Sequence, residues 1–368
     1  MKTILIDAAV AAMMAVSVLS CEKNNSSDNV KNVNFSVSFK DGTICDAETK
    51  AAGTVSVRSE AEKKINNVQV FVFNKDGEID NCKRYTGGSD SPGRWSMPEP
   101  LECTTGEKDV WVVVNAGEDY TVGGTVTDKA SLLAKTVLLG NMDTDGNVAN
   151  LVMTGHNDDV MFTASGDIPF CLEMTVSRLV CAVSLNKVQN LFQNANYRDK
   201  VSITGAFLMQ APGIQRIDGS IEASSTGYGY SFWYARHTKE DGNNILTDVI
   251  AETPVGYGES NAYRIPHTFY CFSNDYGFEL GTDPEGAVLN DGTDKKSSTY
   301  LVVEAKVNGK PYYYPVVLPK LYPNKKYNVS LTIAHLGSRN PWEKVTFTEF
   351  KPSITVTDWE NKSYEDII

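Results

Sequence analysis

The sequence of 368 residues predicts a mainly β protein with two β-sandwich domains in series. Many short runs alternate apolar and polar residues, which is the period of a half-buried strand. In the first half, helical periodicity is confined to Ala130 to Leu139. Long connections rich in Gly, Ser and Asn separate the runs of the second half. The chain is too long for one ordinary domain and long enough for two separate cores.

The N-terminus predicts a lipoprotein signal peptide over residues 1–20. Lys2 precedes an apolar run, Ala8 to Leu19, that is too short to span a bilayer. The run ends in Val-Leu-Ser-Cys, which is similar to a bacterial lipobox, so Cys21 is the expected lipidation site and new N-terminus. Asp7 is unusual beside such a run, and a plain secreted chain is the alternative. The mature chain has no other long apolar run, so we expect membrane attachment only through the lipid.

The segment that follows, residues 21–58, predicts a tether, a strand and a cleavable loop. Glu22 to Asn32 is polar, as in a flexible tether. Val33, Phe35, Val37 and Phe39 then alternate with polar residues and predict a half-buried strand. The loop after it is small and polar, and it ends near Arg58. A protease that cut after Arg58 could release this first strand and leave a groove behind. Lys50 lies in the same loop and would suit a protease of different specificity.

The remaining strands follow in order along the chain. Asp109 to Asn115 is apolar on both faces and predicts a central strand. The polar stretch from Asn190 to Asp199 suggests a domain boundary near residue 192. Asn308-Gly309 between two apolar runs is a strong hairpin signal. The other predicted strands are Val68–Phe73, one or two within Cys171–Leu185, Ser202–Gln210, Phe269–Ser273, Tyr300–Val307, Tyr312–Leu318, Tyr327–Ala334 and Ile354–Asp358.

No motif for catalysis, a cofactor or a metal stands out. The net charge of -12 opposes nucleic-acid binding. The residues from Asn141 to Gly146 imitate a calcium loop, but Val152 stands where the bidentate Glu is required. The four histidines are scattered, and we expect each to be a surface or turn residue: His156, His237, His267 and His335.

The cysteines and tyrosines have structural interpretations. Six cysteines besides Cys21 allow disulfides in an exported chain. We nevertheless favour core filling for Cys171 and Cys181, because both lie in strand-like runs. Cys45 is expected to be unpaired, since a bond to the body would prevent release of the first strand. The run Tyr312 to Tyr314 could stack on a sugar, although aromatic residues on a strand usually cover a core.

Several segments together resemble the fimbrillins of Bacteroidales, the type V pilins. They are Ile65–Asn74, Val112–Gly117, Ser177–Val180, Thr268–Tyr270, Tyr327–Ile333 and Val356–Trp359, together with the lipobox at Cys21. The resemblance covers most of the mature chain. It implies two tandem transthyretin-like β-sandwich domains, over residues 59–192 and 193–368, no enzyme activity and assembly into surface fimbriae.

The resemblance also implies a route of assembly. The lipidated precursor, which carries acyl chains such as palmitate, reaches the outer membrane. An extracellular arginine-specific or trypsin-like protease cuts it, at Arg58 in this sequence. The terminal strand of a neighbouring subunit then fills the groove left by the first strand. Here the C-terminus is the expected donor, because apolar residues alternate or recur along it: Ile354, Val356, Trp359, Tyr364 and Ile367.

The expected partners are copies of this chain, other fimbrial subunits and ligands on host or bacterial surfaces, which would support adhesion and biofilm formation. Two alternatives remain from the sequence. An anchor or tip subunit resembles a stalk subunit, but an anchor keeps its first strand and a tip lacks a donating C-terminus. A surface lipoprotein that binds glycans through β-sandwich domains is the second alternative.

Overall fold

The computed structural model describes residues 31–41, 62–87, 91, 93–139, 150–164, 168–220, 246–278, 298–341, 343 and 352–359. Within these residues the protein is mainly β, with eighteen strands and three short helices. The described helices include none that is long and apolar enough to cross a membrane. The same residues contain no cluster of three or more side chains suited to hold a metal ion.

The first half of the chain forms one eight-stranded sheet. Its strands are β1 (Asn32–Asp41), β2 (Asn67–Asn74), β3 (Ile79–Thr86), β4 (Arg94–Ser96), β5 (Leu101–Thr104), β6 (Gly106–Val114), β8 (Met153–Phe162) and β9 (Phe170–Arg178). The strand order is β3-β2-β6-β8-β9-β1-β4, and β5 also pairs with β1. Helix α1 (Lys129–Leu133) and the short strand β7 (Thr136–Leu138) lie between β6 and β8 along the chain.

The second half forms two four-stranded sheets. Its elements are β10 (Val180–Asn190), α2 (Ala195–Arg198), β11 (Val201–Met209), β12 (Ile214–Arg216), β13 (Thr247–Pro254), a 3-10 helix (Glu259–Asn261), β14 (His267–Phe272), β15 (Tyr300–Val307), β16 (Lys310–Val317), β17 (Lys325–Ile333) and β18 (Pro352–Asp358). One sheet has the order β14-β10-β17-β18 and the other β13-β11-β15-β16, while β12 pairs with β7.

Two hydrophobic cores explain why some strands are apolar on both faces. Val110, Val112 and Val114 of β6 point into the first core, which also contains the apolar residues of β1. Trp111 and Val113 point the other way, into a second core that continues through both sheets of the second half. Successive side chains of a strand face opposite sides, so a strand between two cores must be apolar throughout.

Strand pairing favours a division between the two halves that is nearer the N-terminus than residue 192. The polar stretch near residue 192 does follow a strand, and it forms the short helix α2 with Asn194 at its N-cap. However, β10 already pairs with β14 and β17 of the second half. The change of sheet falls at Leu179, between β9 and β10. We therefore propose Leu179 as the division, which places β10 in the second unit.

The predicted helix over Ala130 to Leu139 is shorter in the structure. Helix α1 begins after Asp128, whose carboxylate accepts a hydrogen bond of 2.7 Å from the backbone N–H of Ser131. Thr136 to Leu138 form β7 instead, because they pair with β12 from the other half of the chain. The predicted turn at Asn308 and Gly309 joins β15 to β16, and both residues have positive φ angles, 50° and 76°.

Candidate strand-exchange site

The first strand, β1, is an interior strand of its sheet, between β9 on one side and β4 and β5 on the other. Its four alternating apolar residues are all buried, with exposed fractions of 0 to 4%: Val33, Phe35, Val37 and Phe39. Asn34 between them is exposed, and Ser36 and Ser38 are half-buried. The strand therefore contributes one complete apolar face to the first core.

Each edge of β1 pairs with a different part of the sheet. On one side it runs parallel to β9, from the pair Phe35–Phe170 to the pair Asp41–Val176. On the other side it runs antiparallel to β5 and β4. Among the described residues, β1 is the only strand that pairs with β4 or β5, and β9 is otherwise paired only through two residues of β8. Loss of β1 would therefore leave a gap bordered by β9 on one side and β4 and β5 on the other.

Aromatic side chains line the gap that β1 fills. Phe35 stacks on Phe162 with a distance of 4.8 Å between ring centroids, and Phe39 stacks on Trp95 at 5.3 Å. Val33 pairs with Cys103 of β5, and burial raises the pKa of the Cys103 thiol to about 12. The four buried side chains of β1 contribute roughly 6–12 kcal/mol, at about 1.5–3 kcal/mol each, before ordering costs. An emptied groove would regain this free energy by binding another apolar strand.

A buried ion pair holds β5 independently of β1. The Nζ atom of Lys108 lies 3.1 Å from Oδ2 of Asp80, and both side chains are almost completely buried. Lys108 also donates hydrogen bonds of 2.5 Å to Asn74 and to Thr104 of β5. The carboxylate of Asp80 accepts bonds from the backbone N–H and the hydroxyl of Thr104, at 2.8 and 2.7 Å. These contacts would keep one wall of the groove in place without β1.

On the other side of the groove, Gly155 allows the backbones of β8 and β9 to approach each other closely. A Cβ atom at this position of β8 would lie 2.4 Å from the carbonyl oxygen of Thr175 in β9, closer than any real contact. Only glycine permits such an approach of two backbones. The contact lies beside the two residue pairs that join β8 to β9, so this junction too is independent of β1.

The predicted donor residues that the structure describes lie in a different sheet. Strand β18 pairs antiparallel with β17, and it lies at the edge of the sheet. Ile354 and Trp359 are buried in the second core, and Val356 is partly buried against it. The structure does not bring β1 and β18 together. As a donor, β18 would first have to leave β17.

A polar cluster around Glu62 was not predicted from the sequence. The Glu62 carboxylate accepts hydrogen bonds from the Tyr270 hydroxyl at 2.5 Å and the Trp359 indole N–H at 3.0 Å, and it lies 3.2 Å from Nζ of Lys326. Arg178 donates to the Glu62 backbone carbonyl at 2.9 Å. Glu62 and Trp359 are 297 residues apart in the sequence. No local pattern indicates a contact at such separation.

Some predicted site residues lie outside the described residues. These are Cys21, Lys50, Arg58, Tyr364 and Ile367, together with Cys45, His237 and the calcium-like segment from Asn141 to Gly146.

Two expectations about cysteines and histidines were wrong. Cys171 is exposed, because it occupies an outward position in the alternation of β9, whereas Cys181 is buried as expected. His267 is buried rather than at the surface. Its Nδ1 lies 2.6 Å from a carboxylate oxygen of Asp248 and its Nε2 lies 2.5 Å from the Tyr263 hydroxyl, so both ring nitrogens have partners.

The tyrosines considered for sugar stacking are buried. Tyr312, Tyr313 and Tyr314 have exposed fractions of 8% or less. The guanidinium of Arg339 also lies 4.0 Å from the ring centroid of Tyr312. These rings therefore offer no open face to a sugar.

Comparison with known proteins gives consistent matches over most of the chain. A family model described as major fimbrial subunit protein (FimA) matches residues 32–255. The major fimbrium subunit FimA type-2 of Porphyromonas gingivalis is 21% identical over 400 residues, which cover 94% of this chain and 95% of that protein.

Two solved structures share the fold. A proposed cell adhesion protein from Bacteroides eggerthii is 21% identical with a TM-score of 0.59, covering 90% of this chain and 98% of that one. A fimbrilin (fimA) from Porphyromonas gingivalis W83 is 17% identical with a TM-score of 0.57, covering 90% and 99%.

Proposed function

Because this chain belongs to the major fimbrial subunit protein (FimA) family, we propose that it is a stalk subunit of surface fimbriae that polymerises by strand exchange. Membership of the family makes it a structural fimbrial subunit, which acts at the cell surface together with other subunits. The proposal adds how the subunits join.

The proposed route begins with lipidation at Cys21 and delivery to the outer membrane. An arginine-specific or trypsin-like protease cuts after Arg58, and β1 leaves. The C-terminal strand of the next subunit then enters the groove, with apolar contacts from Ile354, Val356, Trp359, Tyr364 and Ile367. Adhesion and biofilm formation follow from a fibre built in this way.

One observation carries the proposal: the strand that completes the first core lies entirely on the N-terminal side of Arg58. Within the described residues β1 alone joins β9 to β4 and β5, so its loss opens a gap the width of one strand. The gap exposes unpaired backbone groups and an apolar face together. A strand added from another chain satisfies both, which is an established mode of recognition.

The test compares polymerisation of three precursors after protease treatment. We expect the parent to form ladders of multimers and Arg58→Ala to remain monomeric, while Lys50→Ala behaves like the parent. If Arg58→Ala polymerised normally and Lys50→Ala did not polymerise, the cleavage site would be Lys50 rather than Arg58. Normal polymerisation of both variants would contradict strand exchange that depends on cleavage in this loop.

Deletion of Glu360 to Ile368 tests the donor strand. It should permit cleavage and stop elongation, whereas elongation without these residues would show that they are not an essential part of the donor.

A further inference from the structure

We propose that Glu62 is a positioning residue that holds the C-terminal strand β18 in its own sheet until β1 has left. The inference rests on the proposed function, in which β18 is later donated to another subunit. Glu62 lies four residues after Arg58, at the start of the described segment that follows the cleavage loop. Its contacts connect the processed end of the chain to the strand that must be released.

Trp359 is the residue that Glu62 holds. The indole is 5% exposed and stacks on the ring of Tyr270 at 5.9 Å between centroids. The cations of Arg178 and Lys326 lie 4.7 and 5.1 Å from the indole ring centroid, within the range of cation–π attraction. The indole N–H donates to Glu62 at 3.0 Å. Trp359 is thus fixed both through its ring and through its only side-chain donor.

The Glu62 carboxylate is itself buried and depends on these partners. A buried carboxylate is stable only when it is paired and hydrogen-bonded. Here one oxygen accepts from Tyr270, and the other accepts from Trp359 and lies 3.2 Å from Lys326. Removing the carboxylate would leave the indole N–H of Trp359 without this acceptor and would separate Lys326 from its anion.

Besides its backbone pairing with β17, β18 has an exposed ion pair at this end. Within the part of the chain that the structure describes, β18 pairs with β17 alone, because it is an edge strand. Its last residue, Asp358, forms an ion pair with Lys325, but both side chains are about two-fifths exposed. Exposed ion pairs contribute little. The Glu62 contact is therefore the buried polar anchor at the C-terminal end of β18.

A continuous series of contacts connects Glu62 to β1. The backbone carbonyl of Lys63 accepts a hydrogen bond of 3.1 Å from Gly93, the residue directly before β4. β4 in turn is held in the sheet by pairing with β1. Ile65 is buried in the same core as the apolar residues of β1. Loss of β1 therefore removes the pairing partner of β4 beside Gly93 and part of the core around Ile65, and both contact the segment that carries Glu62.

The expected consequence is an ordered release. While β1 is in place, the segment from Glu62 to Ile65 is fixed and Trp359 stays bound, so the subunit cannot donate β18. After cleavage and loss of β1, the segment loosens and β18 becomes free to leave β17. An unprocessed subunit is in this way prevented from donating its strand prematurely.

Hydrogen–deuterium exchange of the full-length precursor tests whether Glu62 holds β18 while β1 is in place. All chains carry Arg58→Ala, so that β1 remains in place. We expect Glu62→Ala to speed amide exchange in residues 352–359 by about tenfold or more, with exchange in β10 unchanged. Glu259→Ala is the matched control, because Glu259 is an exposed carboxylate that is also paired with two cations, Lys187 and Arg264. It should leave exchange in residues 352–359 unchanged.

A second variant separates the contact from general destabilisation. Trp359→Phe keeps an aromatic ring and removes the indole donor. It should speed exchange of β18 by a smaller factor, and it should add little when combined with Glu62→Ala, because both changes remove the same bond. Additive effects, unchanged exchange in Glu62→Ala, or equal acceleration in β10 and β18 would each overturn the inference. A parent chain that is cleaved but does not polymerise would instead contradict the proposed function, and the exchange result on the uncut precursor would still stand.

Discussion

At the scale of residues, a few buried polar side chains hold the strands that border the groove. The buried pair of Lys108 and Asp80 is the clearest example. The two side chains are 2 and 7% exposed, and with their hydrogen-bond partners they join four strands, β2, β3, β5 and β6. Burial removes both charges from water, so each is stable only in the presence of the other. The pair therefore fixes β5 against β3 and β6 whether or not β1 is present.

Asp80→Ala should strongly destabilise the precursor. It leaves the ammonium of Lys108 buried without its anion, and breaking a buried pair in this way costs about 3–5 kcal/mol. Chemical denaturation measures the free energy of unfolding. Glu99→Ala is the control, since it removes an exposed pair with Lys83 and should change that free energy little. Equal losses of the free energy of unfolding in the two variants would show that burial of the Lys108–Asp80 pair does not increase its contribution to stability.

Asn115 shows which part of a polar residue's role can be predicted from the sequence. It ends β6 with a φ of 58°, a left-handed conformation that Asn tolerates better than most residues. Its side chain donates to the carbonyls of Lys64 and Leu151 and accepts from the N–H of Asn66. The sequence predicts that a strand ends here, and the segment Val112–Gly117 resembles one in the fimbrillins. It does not reveal these bonds, because their partners come from distant parts of the chain.

At the scale of elements, β1 was predictable because alternation is a local signal. Local patterns, either alternation or a short apolar run, also placed β6, β15, β17 and β18 close to their observed bounds. The short strands β4 and β5 were not predicted. With three and four residues they are too short to show a period, and both pair with the distant strand β1.

Phe35→Ala should separate the stability of the precursor from that of the processed fibre. Phe35 is fully buried against Phe162, and such a truncation costs about 3–5 kcal/mol of the free energy of unfolding. Asn34→Ala, at the neighbouring outward position, should cost less than about 0.5 kcal/mol. The fibre should be unaffected by either change, because β1 is no longer part of it. If Phe35→Ala destabilised the fibre as much as the precursor, β1 would still be present there.

At the scale of the whole molecule, sequence predicted two β units but not how they are divided or connected. Polar composition suggested residue 192, whereas pairing of β10 with β14 and β17 assigns that strand to the second unit. The contact of Glu62 with Trp359 joins the start of the second described segment to the last described residue. Both features depend on long-range packing, which neither composition nor periodicity encodes.

Alkylation of Cys103, followed by peptide mass spectrometry, tests most directly whether β1 leaves and is replaced. Cys103 pairs with Val33 and is buried, and burial raises its pKa to about 12, so in the precursor it should not react. Cys171 is exposed and Cys181 is buried in the second core, so they serve as reactive and unreactive references.

In a cleaved subunit that lacks residues 360–368 the groove should stay empty, and alkylation of Cys103 should rise by about two to three orders of magnitude as its pKa returns toward an ordinary value. In assembled fibres Cys103 should again be protected, by the strand of the next subunit. A Cys103 that stays unreactive in the cleaved, tail-deleted subunit, or that reacts freely in the fibre, would contradict strand exchange at this groove.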